Sequence, residues 1–215
     1  MEIIQRFGSE AVIFDLDGTI LDNNSYHLKA WKQYLLKIGR GMTDEEFNEH
    51  LNGRTNKDVV RYLYGQDISE ETIWQHTMDK EALYRELYRK DIRPVPGILD
   101  VFETLYQHQV PMAIATSGVQ VNIDFMFEHV PIRKYFQAVV NSSHISKGKP
   151  DPEIFLKTAS MLGVAPERCL VFEDAVVGVQ AAKSAGMHVI AVTTTEPAAH
   201  LGAADLIIKD YTALR

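Results

Sequence analysis

Six short apolar runs, each about the length of a strand, constrain the fold of this chain more than any other feature. The runs span residues 11–17, 110–117, 137–141, 169–174, 188–192 and 205–209. They are rich in Val and Ile and lack strict alternation, which is typical of strands buried on both faces. Helical patterns lie between most of them; one starts with Asp151 as cap and Pro152 at the first helical position, and ends at Gly163. This alternation predicts an α/β fold, a Rossmann-like parallel sheet with helices on both faces.

The segment 22–93 has no such runs and is expected to be helical throughout. Its first apolar residues recur at intervals of three and four, as on one face of a helix: Leu28, Trp31, Leu35 and Ile38. Thr43 and Thr55 each stand three residues before an acid, the pattern of a capping box. We therefore expect a core domain made of residues 1–21 and 94–215, interrupted by a helical domain of residues 22–93.

Composition excludes several classes of protein. The chain has 215 residues and a formal net charge of -7, whereas a surface that binds nucleic acid is basic. No apolar run approaches the roughly 20 residues that a membrane span needs. The chain has one cysteine and no signal-peptide pattern, which predicts a reducing, cytoplasmic location. The sequence does not determine the oligomeric state, and a monomer is compatible with it.

The most informative segment is Phe14-Asp15-Leu16-Asp17-Gly18-Thr19, which closes the first apolar run with two carboxylates. Side chains at positions i and i+2 of a strand point to the same side. Asp15 and Asp17 are therefore expected to project together from the carboxyl end of the sheet, where open α/β folds bind ligands. Two acids this close repel each other unless a cation relieves them, and Mg²⁺ suits oxygen ligands. An Asp- and Gly-rich surface turn is the alternative.

Three later segments also lie where a predicted strand meets a loop. Thr116 and Ser117 end the second run and offer hydroxyls to phosphate oxygens. Lys149 precedes a predicted helix, and Glu173 and Asp174 form a second acidic pair at a strand end. Taken singly, each has an ordinary structural explanation, such as a solvated lysine or a helix cap. Together, at the same kind of boundary in one fold, they predict a single site.

The four segments, DLDGT, TS, GKP and ED in that order, resemble the motifs of the haloacid dehalogenase superfamily, on its phosphatase side. The resemblance covers essentially the whole chain, and segment 22–93 resembles that superfamily's helical cap. Within it, FDLDGTILDNNSYHLKAW and GKPDPEIFLKTASMLGV are most similar to beta-phosphoglucomutase-type proteins.

This resemblance implies a role for each motif residue. Asp15 would be the nucleophile that forms an aspartyl-phosphate, and Asp17 the general acid and base. Mg²⁺ would be held by the Asp15 side chain, the Asp17 backbone carbonyl and Asp174, with Glu173 supporting the site or serving as an additional ligand. The phosphoryl group would be bound by the remaining motif residues, Thr116, Lys149 and the nearby Ser117.

Cap residues are expected to govern the choice of substrate. Arg54 would bind a second phosphate or another acidic group, and a free surface arginine is the alternative. The resemblance implies that His27 positions or regulates Asp17; a half-buried helix histidine beside Trp31 is the alternative. Lys80 matches a cap lysine of the mutase pattern, although a solvated lysine explains it equally well.

Three departures argue against mutase activity. Beta-phosphoglucomutases carry a lysine and an arginine where this chain has Asn52 and Asn56, and a Ser-Lys-Asn segment where it has Gly118-Val119-Gln120. The expected function is therefore Mg²⁺-dependent hydrolysis of a small phosphorylated metabolite, a sugar phosphate in the first place. A phosphohexomutase, a pyrophosphatase and a metabolite-binding regulator without turnover are the alternatives.

Overall fold

The computed structural model describes residues 2–214. Six strands form one sheet: β1 (Ala11–Phe14), β2 (Met112–Ala115), β3 (Ala138–Val140), β4 (Cys169–Glu173), β5 (His188–Val192) and β6 (Leu206–Ile208). The nine helices assigned within that range are α1 (Glu2–Phe7), α2 (Asn24–Lys37), α3 (Asp44–His50), α4 (Asn56–Tyr64), α5 (Glu70–Tyr88), α6 (Ile98–Gln107), α7 (Gln120–His129), α8 (Glu153–Leu162) and α9 (Val176–Ser184). All strand pairs are parallel, in the order β3-β2-β1-β4-β5-β6.

Helices cover both faces of the sheet because its strands are apolar on both faces. Val12 and Phe14 of β1 pack into one cluster with residues of α6 and α7. The intervening Ile13 packs into a second cluster with residues of α8 and α9. Successive side chains of a strand alternate between faces, so an uninterrupted apolar run fills both clusters. The predicted α/β class, with its parallel sheet and helices on both faces, is confirmed.

Helices α2 to α5 form a separate layer inserted after β1 and have their own apolar cluster. Trp31, Leu35, Phe47 and Val60 are buried in it. The N-caps of α3 and α4 follow the predicted chemistry, since the hydroxyls of Thr43 and Thr55 accept hydrogen bonds from backbone N–H groups three residues later. This layer is the expected helical cap; its limits at residues 22 and 93 stay a prediction.

The two ends of the inserted segment lie side by side. Leu21 forms an isolated antiparallel bridge with Pro94. The Asp22 N–H donates to the carbonyl of Arg93 at 3.2 Å, and the Arg93 guanidinium pairs with the Asp22 carboxylate at 2.8 Å. The chain therefore enters and leaves the cap at one point of the core.

Three local expectations were wrong. Strand β1 ends at Phe14, so Asp15 and Asp17 lie in the loop that follows, and strand periodicity does not orient them. Ile38 is 46% exposed because α2 ends one residue before it. Helix α8 begins at Glu153, so Pro152 is its N-cap residue, while the Asp151 side chain accepts a hydrogen bond from the Glu153 N–H.

Candidate active site

The register of the sheet brings the predicted motif segments to one edge. Phe14 at the end of β1 pairs with Ile114 of β2 on one side and with Phe172 of β4 on the other. The residues that follow these three positions therefore emerge next to each other. From β1 the sheet extends to one side through β2 and β3 and to the other side through β4, β5 and β6. Open α/β sheets usually bind their ligands at the point where the direction of strand addition changes in this way.

A cavity of about 60 Å³ lies between this edge and the cap. The predicted site residues on its wall are Asp15, Asp17, His27, Arg54, Thr116, Ser117, Glu173 and Asp174. Lys80 lines it as well. Lys149 reaches the site through its hydrogen bond to Asp15. The structure thus brings together the four motifs and the three predicted cap residues.

Asp15 belongs to a buried network of charges. The Lys149 ammonium donates to Asp15 Oδ1 at 2.7 Å and also pairs with Glu173 Oε1. Glu173 Oε2 accepts from the backbone N–H groups of Asp174 and Ala175. Burial raises the pKa of the Asp15 carboxyl to about 8; Glu173 and Asp17 add to the shift, and Lys149 opposes it. The single positive charge of Lys149 therefore does not balance the negative charges of the neighbouring carboxylates.

Asp17 has a different environment, which favours its ionised form. Asn23 Nδ2 donates to Asp17 Oδ1 at 2.6 Å, and His27 Nε2 lies 3.3 Å from the same oxygen. The other ring nitrogen of His27 is 2.9 Å from Lys80 Nζ, and the ring stacks on Tyr84. Burial acts to raise the pKa of Asp17, but His27 and Asn23 together hold it below its usual value.

Asp174 lines the same cavity as Asp15 and is anchored by two side chains. Thr19 Oγ1 donates to Asp174 Oδ1 at 3.1 Å, and Asn24 Nδ2 donates to Oδ2 at 2.8 Å. Burial raises its pKa well above the usual value, and the neighbouring Glu173 and Asp15 add to the shift. Gly18 has a φ of +76°, and a Cβ there would collide with the Asp174 carboxylate. The motif glycine therefore gives the turn its conformation and Asp174 its space.

The oxygen atoms gathered here fit a hard divalent cation. Burial raises the pKa of the Asp15 and Asp174 carboxyls, and the neighbouring acids add to both shifts. Carboxylate and carbonyl oxygens are the ligands that Mg²⁺ prefers. Within residues 2–214, no three His, Cys, Asp or Glu side chains converge as metal ligands. The set implied by the resemblance has two carboxylates and a backbone carbonyl. Glu173 has both oxygens engaged by Lys149 and by backbone N–H groups.

The predicted phosphate-binding residues differ in how free they are. Thr116 Oγ1 accepts from the Gly118 N–H at 2.9 Å, which leaves its own proton available. Ser117 Oγ donates to the carbonyl of Gly53 at 2.8 Å and so joins the core to the cap loop. Arg54 is half-buried on the cavity wall; its backbone N–H donates to the carbonyl of Leu51, and its guanidinium forms no hydrogen bond or ion pair within the described part of the chain.

A family model described as Haloacid dehalogenase-like hydrolase matches residues 12–192. The chain belongs to this family. The match spans most of the core and the whole inserted cap, so it confirms the superfamily predicted from the motifs.

The relatives of this chain include a phosphatase and a mutase. The fructose-1-phosphate phosphatase YqaB of Escherichia coli is 33% identical over 84% of this chain and 95% of its own length. The beta-phosphoglucomutase of Bacillus subtilis is 33% identical over 95% of this chain and 91% of its own. A family IA hydrolase of the superfamily from Entamoeba histolytica has a TM-score of 0.85 and 32% identity, covering 96% of this chain and 95% of its own.

These relatives confirm two predictions about this haloacid dehalogenase-like hydrolase. It is an enzyme of the phosphoric monoester hydrolase class. Its likeness to beta-phosphoglucomutases, read from the motif segments, extends over nearly the whole chain. None of the helices in residues 2–214 is both long and apolar enough to cross a membrane.

Sequence reasoning missed several polar residues of the site. Asn23 and Asn24 hold Asp17 and Asp174, and their only signal was a pair of amides a few residues after the DLDGT motif. Glu196, in the loop after β5, accepts from Asn52 of the cap at 3.3 Å, with no local sequence signal. Glu81 lines the cavity from α5, where the sequence resembles an ordinary charged helix.

Proposed function

We propose that this enzyme is a Mg²⁺-dependent phosphatase that hydrolyses a small sugar phosphate through an aspartyl-phosphate on Asp15. One observation carries the proposal: two carboxyls in different environments line one cavity, Asp15 paired with Lys149 and Asp17 held by Asn23 and His27. Opposite environments for two neighbouring acids are the mark of distinct catalytic roles.

The first step transfers the phosphoryl group to the protein. The ionised carboxylate of Asp15 attacks phosphorus, the bond between phosphorus and the ester oxygen breaks, and the leaving oxygen takes a proton from Asp17. Asp17 must carry that proton when the step begins, although His27 and Asn23 favour its ionised form. Lys149, fixed between Asp15 and Glu173, stabilises the negative charge that develops on the phosphoryl oxygens. Thr116, with a free hydroxyl proton, donates to one of those oxygens.

The second step returns Asp15. Asp17 takes a proton from water, the water oxygen attacks phosphorus, and the bond to Asp15 breaks to release inorganic phosphate. The contacts from Asn23 and His27 favour the ionised carboxylate that this step needs. His27 is therefore a positioning residue for Asp17.

Mg²⁺ would be held by Asp15, the Asp17 carbonyl and Asp174. When bound, the cation supplies positive charge that lets an anionic nucleophile approach an anionic phosphate. Glu173 would hold Lys149 in place rather than bind the cation, because both of its carboxylate oxygens are already engaged. The role of Asp174, anchored by Thr19 and Asn24, is to hold its carboxylate in a fixed orientation.

The cap supports a sugar as the organic part of the substrate. Asn52 and Asn56 add side-chain amides to the cavity wall, and Trp31 adds an apolar face. Hydroxyl-rich ligands use this combination of amide hydrogen bonds and aromatic surface. The fructose-1-phosphate phosphatase among the relatives agrees with this class of substrate.

A phosphohexomutase is the second candidate, favoured by the likeness to the Bacillus subtilis beta-phosphoglucomutase. It requires a second phosphate to be bound by the cap. Asn52 and Asn56 replace two basic residues of the mutase pattern, which leaves Arg54 as the free cation among the described cavity residues. Pyrophosphate hydrolysis would use the same chemistry on a smaller substrate.

The test is a panel of phosphate esters and pyrophosphate incubated with the protein and Mg²⁺. We expect phosphate release from sugar phosphates, and Asp15→Asn should lower kcat at least about 1000-fold because the nucleophile is lost. Formation of glucose 6-phosphate from β-glucose 1-phosphate faster than its hydrolysis would establish the mutase instead. Wild-type turnover by Asp15→Asn would exclude the mechanism.

A further inference from the structure

Glu81 is a buried carboxylate of the cap that the proposed chemistry does not use. It lies in α5 with 1% of its surface exposed, and it lines the same cavity as Asp15 and Asp17. Burying an acid costs free energy unless hydrogen bonds or an opposite charge compensate it. Such a group on a substrate cavity therefore calls for an explanation.

Both carboxylate oxygens of Glu81 are engaged by three elements. Oε1 accepts from Lys80 Nζ at 2.9 Å and from Asn56 Nδ2 of α4 at 2.8 Å. Oε2 accepts from Asn122 Nδ2 of the core helix α7 at 2.8 Å. Burial acts to raise the pKa of Glu81, but Lys80 and the other contacts hold it below its usual value. Glu81 is therefore ionised at neutral pH and fixed in place.

The partners of Glu81 determine the charge that a substrate meets on the cap side. Lys80 is buried with it, and its ammonium is shared between Glu81 and His27. The positive charge of Lys80 is thus matched by a carboxylate in direct contact. Among the described residues of the cavity wall, Arg54 is the cation that no acid pairs with. The cap side presents one unpaired positive charge.

We propose that Glu81 is a specificity-determining residue, which cancels the charge of Lys80 and so favours monophosphates over bisphosphates. The inference rests on the proposed function, since it concerns the substrate of the same site. A second phosphate dianion on the cap side would meet one free cation and a fixed carboxylate. A neutral, hydroxylated end of the substrate meets no such repulsion. Selection by a repelling charge is a common route to specificity.

Binding measurements test the proposal without turnover. In the Asp15→Asn background, with Mg²⁺, calorimetry gives the Kd of fructose 1-phosphate and of fructose 1,6-bisphosphate. Glu81→Gln keeps the size of the side chain and removes its charge. We expect this substitution to strengthen binding of the bisphosphate relative to the monophosphate about tenfold or more, because a buried negative charge that repels the second phosphate has been removed.

Matched variants separate charge from structure. The double variant Lys80→Met/Glu81→Gln removes both charges and should return the ratio to within about twofold of the parent value. Glu86→Gln, on an exposed position of the same helix, makes the same change in net charge and should leave the ratio unchanged. Lys80→Met alone should weaken binding of the bisphosphate relative to the monophosphate. This variant tests the proposal if Glu81→Gln does not fold.

Several results would overturn the proposal. One is an unchanged ratio in a folded Glu81→Gln protein. Another is an equal shift in Glu86→Gln, which would indicate a long-range effect of net charge. A third is a double variant that behaves like Lys80→Met, which would make Lys80 a phosphate ligand and Glu81 neutral to selection. Failure of the proposed function would appear separately, as wild-type protein that binds these esters and releases no phosphate.

Discussion

Asn23 illustrates how much of the site depends on one uncharged side chain. Its Nδ2 donates to Asp17 Oδ1 and to the Tyr84 hydroxyl, each at 2.6 Å, while its Oδ1 accepts from the Gly18 N–H at 2.9 Å. It therefore fixes the carboxylate and the turn of the same motif. A fully buried amide with three partners acts as a structural centre of the DLDGT loop.

Asn23→Ala should lower kcat about 10- to 100-fold, because Asp17 loses the contact that orients it. Stability should fall by about 1–3 kcal/mol, since buried partners are left without hydrogen bonds. Phosphate release and denaturant unfolding measure the two effects. Ser25→Ala, an exposed position of α2, is the control. An Asn23→Ala protein that is less stable but fully active would show that Asn23 has no part in orienting Asp17.

Helix α9 packs against the buried charges of Glu173 and Lys149 at a glycine, Gly178. A Cβ on Gly178 would collide with the carboxylate of Glu173, the residue that holds Lys149. Helix interiors ordinarily favour Ala over Gly by about 1 kcal/mol. Gly178 therefore leaves room for the Glu173 carboxylate at the expense of helix propensity.

Gly178→Ala should destabilise the protein by about 1–3 kcal/mol, because the clash outweighs the gain in helix propensity. It should also lower kcat, since Glu173 can no longer hold Lys149. Thermal unfolding and ester hydrolysis provide the measurements. Gly202→Ala is the control, because a Cβ there meets nothing within 4 Å. A more stable, fully active Gly178→Ala protein would contradict this account.

Elements also show what the sequence could predict and what it could not. The apolar runs predicted the sheet because strands such as Ala11–Phe14 are buried on both faces, and that signal is local. The caps of α3 and α4 were predictable for the same reason. The contact of Glu81 with Asn122 joins positions far apart in the chain, and no local pattern records it. The motif residues were predicted to share a site because each lies where a predicted strand meets a loop, and the resemblance to a known family supplied their roles.

For the whole molecule, the acidic site links stability to pH and to Mg²⁺. Burial favours the protonated form of Asp15, whose pKa is about 8, against an ordinary value of 3.8 in the unfolded chain. Between these values the folded protein holds a proton that the unfolded chain has lost. The contribution of Asp15 to stability is therefore greatest below about pH 4 and is lost as the pH rises toward 8.

With EDTA present, the free energy of unfolding should accordingly fall by a few kcal/mol between about pH 5 and 8. Mg²⁺ binds the charged carboxylate, so its stabilising effect should grow over the same range. Denaturant titrations at each pH, with and without the cation, measure both trends. Asp15→Asn should flatten the slope in EDTA. A stability that rises with pH in wild-type protein and not in Asp15→Asn would reverse the assigned sign.

The junction at Leu21 and Pro94 has a consequence for how such a chain can diversify. Since the cap leaves and rejoins the core at bridged neighbours, its ends are a fixed, short distance apart whatever lies between them. Helices can be lengthened, lost or exchanged in that interval without changing the register of β1 with β2 and β4. The two parts stay coupled at the site, because Asn23, Asn24 and His27 at the start of this segment hold Asp17 and Asp174, and Ser117 of the core binds the carbonyl of Gly53.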